Sequence, residues 1–268
     1  MPQVSALYRY PVKGFTPERH DALVVQDDGR VAGDRVLAFR FADATRPEDR
    51  DGLDYWPKSR GLALMDFPSL ARLRLAYDHG AHRLRITDSD QRVVEDGLDE
   101  AGRRRIADAV TDWVLATGDG ARLGRPGRLP LALLGDGDTS RFQDRPRGYI
   151  SLHGEASVQA VADHAPTAPV DDRRFRSNVV IDGVEAWQEL AWAEAGAEIV
   201  IGEVRFTVQA PIGRCLAVAA NPDTGERDAN LLRVLTGDLG QDKPTLGVLL
   251  LPAGPGGTIR VGDLVTVA

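Results

Sequence analysis

Cysteine occurs once in this chain of 268 residues, as Cys215, and that scarcity excludes the most. One thiol cannot build an intramolecular disulfide framework, a structural zinc site of several thiolates or an iron–sulfur cluster. A reducing compartment is the expectation. No run of eighteen or more apolar residues occurs, and the opening MPQVSALYRYPVKGF lacks the basic and apolar regions of a secretory leader. A cytoplasmic protein with no membrane partner is therefore expected. Basic residues are the minority, 33 against 40 acidic, for a net charge of -7. A general nucleic-acid binder needs a basic surface to offset phosphates, so no nucleic-acid partner is expected either. The GxxxxGK[ST] phosphate loop, the HExxH helix and the GxSxG elbow are all missing. Of five histidines, only His79 and His82 stand close, flanking Gly80 in a polar stretch that reads as an exposed turn.

What is present is enough apolar sequence, 43%, for one large or two small cores. Apolar alternation at 4–10, 22–25 and 36–41 predicts short half-buried strands. Residues 45–60 are polar, carry Pro47 and Pro57, and show neither period, which predicts a long surface loop at a substrate entrance. Strand patterns return at 71–77, 83–87 and 92–94, the last two joined by a turn at 88–90. Residues 98–115 have helical spacing, with Asp99 as cap and Gly118 as stop. The stretch 118–148 reads as a connection, so two domains are expected, 1–120 and 121–268. Beyond it the pattern predicts strands at 149–152, 178–182, 198–201, 204–209, 215–218, 247–251 and 258–267, with a helix over 155–163. Many strands and few helices predict a mainly β fold, a small amino-terminal β-barrel followed by a second barrel.

Cys215 follows Ala210-Pro211-Ile212-Gly213-Arg214, so a Pro-Gly bend leads to a thiol with a cation beside it. Such a thiol can be a nucleophile, a redox sensor or a soft metal ligand. From position alone, a buried and inert cysteine is equally open. Trp56 and Trp187 read as core aromatics, residues 221–225 as a turn, and Arg173 and Arg174 as surface charges.

Phe175-Arg176-Ser177-Asn178, the 199–202 segment, Arg214-Cys215, Asn221-Pro222-Asp223-Thr224-Gly225 and Val261-Gly262-Asp263 together resemble, in order and spacing, the motifs of the MOSC domain. Tyr10-Pro11-Val12-Lys13-Gly14 and Gly33-Asp34-Arg35 resemble the β-barrel domain that precedes it in the family of the mitochondrial amidoxime-reducing component. The resemblance implies a molybdenum cofactor (molybdopterin) with Cys215 as the catalytic residue and metal ligand. Lys13, Arg35, Arg176, Asn178 and Arg214 would be cofactor-binding, with Lys13 and Arg35 at its phosphate end. Ser151 and His153, which follow a strand entering the second half, are candidates to face the cofactor or substrate. Pyridoxal phosphate binding is a further label that the family allows.

Two departures stand out. Ile212 and Gly213 occupy positions where relatives carry a second cysteine and a hydroxyl residue, and Gly14 stands where a hydroxyl is common. The implied activity is oxygen-atom transfer from N-hydroxylated or other N- or S-oxygenated small molecules. Electrons would come from a separate donor of ferredoxin, flavoprotein or cytochrome b5 type. Sulfur transfer through a Cys215 persulfide and a non-catalytic cofactor carrier are the alternatives.

Overall fold

The computed structural model describes residues 1–89, 91–165 and 168–268. Its centre is an eight-stranded mixed sheet, in the order Val265–Val267, Glu198–Ile201, Val204–Gly213, Thr245–Pro252, Ile150–Gly154, Val179–Asp182, Gln3–Arg9, Glu18–His20. Alternation drives it: in Glu198–Ile201, Ile199 and Ile201 are fully buried while their neighbours are half-covered. Ile150–Gly154 and Val179–Asp182 pair in parallel, with helix Glu155–Asp163 falling between them in the chain. A parallel pair needs such a crossover. The fold is therefore mainly β, as expected. The ladder is open among the described residues, so the two barrels remain an expectation.

The first strand does not stay with the amino-terminal half. Gln3–Arg9 pairs antiparallel with Val179–Asp182, and Val4, Leu7, Leu23, Val25 and Val31 share one apolar core with Ile150, Ile181 and Leu250. A second core gathers the rest of the first half around the three-stranded sheet Leu73–Asp78, Arg83–Asp88, Gln91–Gly97. Helix Glu100–Leu115 covers it with Ile106, Val110 and Val114, each buried side chain contributing roughly 1.5–3 kcal/mol. Asp99 caps this helix by accepting from the Gly102 amide at 2.7 Å. The helix closes at Ala116 without a left-handed glycine, so Gly118 is not its stop.

The structure departs from the expected elements in four stretches. Residues 45–60 are not simple loop: Glu48–Arg50 and Leu53–Tyr55 form a hairpin through Asp51 and Gly52, both left-handed, as a tight two-residue turn requires. A short 3-10 turn, Lys58–Arg60, follows. The strand expected at 215–218 is instead a 3-10 turn, Leu216–Ala219, with Cys215 in extended conformation ahead of it. Helix Gln188–Glu194 and the helical segment Leu231–Arg233 running into Val234–Asp238 were not foreseen. Of the turn read at 88–90, Asp90 lies outside the described residues.

Candidate functional site

Three of the candidate segments meet where the first strand ends. Gln3–Arg9 runs antiparallel to Val179–Asp182, so Tyr10 leaves on the side where Asn178 enters. Ser151 lies beside Asn178, because the next register pair is Leu152 with Val179. Arg35 joins them through its amide, which donates to the Tyr10 carbonyl at 2.6 Å. Val204–Gly213 supplies the fourth segment. Its register slips twice against Thr245–Pro252, and such bulges bend a strand. The bent end delivers Arg214 and Cys215.

These residues line one cavity of about 340 Å³. Lys13, Arg35, Ser151, Arg176, Asn178, Arg214 and Cys215 all border it. His153 does not. It is 1% exposed, its ring packs on Phe175 at 6.0 Å, and burial drives its pKa down to about 3. Neither ring nitrogen has a partner among the described residues. The expectation that His153 faces cofactor or substrate is corrected: it is a neutral core residue two positions beyond Ser151, which lines the cavity.

The geometry assigns distinct work to the others. Lys13 is only 6% exposed, and its ammonium donates to the carbonyls of Phe142 and Gln143 and to Asp144 Oδ1 at 2.7 Å. Burial lowers the Lys13 pKa, with Asp144 opposing the shift. Lys13 thus ties the 142–144 segment across the cavity. Gly14 beside it is left-handed, and a Cβ there would lie 2.6 Å from the Leu62 carbonyl oxygen, so glycine is required on steric grounds as well.

Asn178 is similarly engaged. Its Oδ1 accepts from the Ser151 hydroxyl at 2.9 Å, and its Nδ2 donates to the Tyr8 carbonyl and to Asp34. Asn178 and Ser151 therefore lock the cavity floor through each other.

Arg35 and Arg176 are held differently. Both have left-handed backbones, uncommon for arginine, and both guanidinium groups lie over the Tyr10 ring. Arg35 pairs with buried Asp34, which raises its pKa against the opposing effect of burial. Arg176 donates to the Phe15 carbonyl at 2.6 Å and has no carboxylate in ion-pair contact among the described residues.

Arg214 is the cation the sequence places beside the thiol, yet its guanidinium is spent on the carbonyls of Leu246 and Phe175. Burial lowers its pKa to about 10. The cation that reaches the sulfur is Lys58, with Nζ at 3.7 Å from Cys215 Sγ and 3.8 Å from Asp144 Oδ2. Sequence reasoning missed it, because Lys58 sits in the polar stretch read as loop; Pro57 ahead of it was the one local signal of order. Arg174 was also misjudged. It is 3% exposed, not a surface charge, and its guanidinium holds the Val218 and Ala219 carbonyls and Asp228. Arg173 is bound to Asp171 and Asp223.

The lining is strongly cationic. Lys13, Arg35, Lys58, Arg145, Arg147, Arg174, Arg176 and Arg214 face a single carboxylate, Asp144. In a chain of net charge -7 this is a local inversion that suits an anionic ligand. The half-buried, unpaired thiol supplies one soft donor on the same wall.

The MOSC domain family model matches residues 139–266. The molybdenum cofactor sulfurase of Drosophila ananassae is 28% identical over 163 residues, 59% of this chain and 19% of that protein. That of Drosophila grimshawi is 32% identical over 130 residues, 48% of this chain and 16% of its own, and the Homo sapiens protein is 34% identical over 80 residues, 30% and 8%. The matches thus span less than a fifth of those relatives' length. The solved YuaD protein from Bacillus subtilis overlays 100% of this chain and 96% of its own at 12% identity, with a TM-score of 0.44. A MOSC domain thus occupies residues 139–266, and it carries Ser151, Arg176, Asn178, Arg214 and Cys215.

Proposed function

We propose that this protein binds the molybdenum cofactor in the Cys215 cavity and reduces N-hydroxylated or other N- or S-oxygenated small molecules by oxygen-atom transfer. The observation that carries the reading is the lining itself, eight cationic side chains and one carboxylate around a free thiol. A phosphorylated, sulfur-rich group needs both features. Cys215 would be the protein's ligand to the metal, and Arg35 and Arg176 would take the phosphate, since Arg176 has guanidinium donors to spare. Asn178 and Ser151 would shape the pterin's seat. Lys13 would act indirectly, by fixing Asp144 and the carbonyls beside it. The bound group would supply the two-electron redox chemistry. Lys58 would hold negative charge on the sulfur side of the cavity. A separate electron donor and a reducing cytoplasm go with this reading.

Reduction of an N-hydroxylated amidine with a chemical electron donor tests it. Turnover by wild type that is lost in Cys215→Ser is the expected result; equal turnover by both proteins would remove Cys215 from the chemistry. The relatives' name, molybdenum cofactor sulfurase, favours a second reading, sulfur transfer through a Cys215 persulfide. Cyanide-labile sulfur on the isolated protein, absent from Cys215→Ser and unaccompanied by pterin, would select it.

A further inference from the structure

A second cavity, of about 300 Å³, adjoins the first, and Arg174, Arg176, Leu64 and Ala217 line both. Its remaining wall brings Arg19 and Tyr8 from the paired strands Glu18–His20 and Gln3–Arg9 together with Arg74 and Arg173. Five arginines face it and no carboxylate lines it. The carboxylates that hold these arginines stand outside the lining. Asp223 accepts from both Arg74 and Arg173, Asp171 from Arg173, and Asp228 from Arg174. Arg74 is further fixed by the Ala71 and Pro222 carbonyls. These contacts orient the planar guanidinium forks; Arg173 spends its Nε, Nη1 and Nη2 on Asp171 and Asp223, so the donors left for a ligand come mainly from Arg176, which holds only the Phe15 carbonyl, and from Arg19. Arg19 makes no side-chain hydrogen bond or ion pair among the described residues.

We propose that this second cavity is a phosphate site, taking a phosphate ester of a small molecule such as a nucleoside monophosphate. A mononucleotide suits the space, the Tyr8 ring offers an apolar face at its wall, and Arg174 and Arg176 stand between the two cavities. Arginine is the side chain best matched to phosphate geometry, and several oriented forks bind a dianion far better than one. The ester is either a free ligand or a continuation of the phosphate held in the first cavity. The inference rests on the lining alone and does not require the cofactor reading.

Calorimetric titration with adenosine 5′-monophosphate and with inorganic phosphate tests it, using wild type, Arg19→Glu and Cys215→Ser. Arg19 is exposed, so its reversal is expected to leave the melting temperature within a degree or two. Binding weakened roughly tenfold or more by Arg19→Glu and unchanged by Cys215→Ser supports the site. Absence of binding in wild type, or binding indifferent to Arg19→Glu, overturns it. Arg74→Gln, in the same cavity, should weaken binding as well, which guards against an effect confined to one strand. Analysis of small molecules released on denaturation separates the sources. A nucleotide released in equal amount with pterin identifies the continuous form, and a phosphate ester without pterin identifies the free one. Release of neither, together with no titration, counts against the proposal while leaving the cofactor reading to its own assay.

Discussion

Arg35 and Arg176 lie over the same ring, their guanidinium carbons 4.8 and 4.4 Å from the centroid of Tyr10. One comes from each half of the chain, so Tyr10 is the platform on which both halves assemble the cationic wall. Tyr10→Phe keeps the platform and loses only the hydroxyl's bond to the Ser177 carbonyl, a cost of about 1 kcal/mol. Tyr10→Leu removes the ring from beneath two cations as well and should cost about 1–3 kcal/mol more. Urea unfolding of the two variants measures the difference. Equal costs would mean that the ring does not hold the arginines.

Lys58 places an ammonium 3.7 Å from Cys215 Sγ, so an anionic reagent approaching the sulfur meets a cation. Lys58→Met should lower the rate of alkylation of Cys215 by iodoacetate, relative to that by neutral iodoacetamide, by roughly fivefold. An unchanged ratio would show that the contact has no electrostatic effect at the thiol. Because Lys58 is partly exposed, stability should change little.

Much of this site was legible in the sequence because the residues that line it lie in motifs next to strand ends, where period-2 alternation stops and turn residues begin. Lys13, Arg35, Arg176 and Arg214-Cys215 were marked by the resemblance of those motifs, since alternation places the strands and not the use of the turns between them. What the motifs could not give was the use each side chain is put to. Arg214 sits next to the thiol in sequence but turns to the Leu246 and Phe175 carbonyls, whereas Lys58 reaches the sulfur through tertiary folding alone. His153 shares its strand face with Ser151, two residues before it, and alternation does not say how far along that face the cavity extends; it stops short of His153, whose ring is enclosed against Phe175. The hairpin at 48–55 does not show in the sequence although Asp51-Gly52 is a turn pair, because its strands are three residues each and almost wholly exposed, too short for an alternation to be read. The shared core of residues 4–31 with the second half was invisible for a different reason: strand pairing at long range leaves no local pattern.

His153 makes the fold acid-sensitive. Its folded pKa, about 3, lies below the ordinary histidine value, so between these values the unfolded chain binds the extra proton and stability falls as the pH falls. From pH 7.5 to pH 5 the loss from this residue should be about 2 kcal/mol. His153→Leu should flatten that part of the profile in denaturant unfolding. A wild-type profile matched by the variant would contradict the neutral, buried assignment.

Arg214 carries the site's shape more than its charge. Arg214→Leu strips donors from two buried carbonyls and should destabilise the protein by about 2–4 kcal/mol, with Arg214→Lys recovering only part, since an ammonium cannot reproduce the fork. Thermal unfolding of the three proteins tests this. A lysine variant as stable as wild type would mean that charge, not geometry, is what the Phe175 and Leu246 carbonyls need.

Metal and pterin content is the most direct measurement of what the Cys215 cavity holds, made on protein from cells able to synthesise the cofactor. Wild type should contain near-equal amounts of molybdenum, pterin and protein, and Cys215→Ser should lose the metal or alter its spectrum while remaining folded. Wild-type protein with neither molybdenum nor pterin, or a Cys215→Ser protein with unchanged metal content and spectrum, would contradict the assignment.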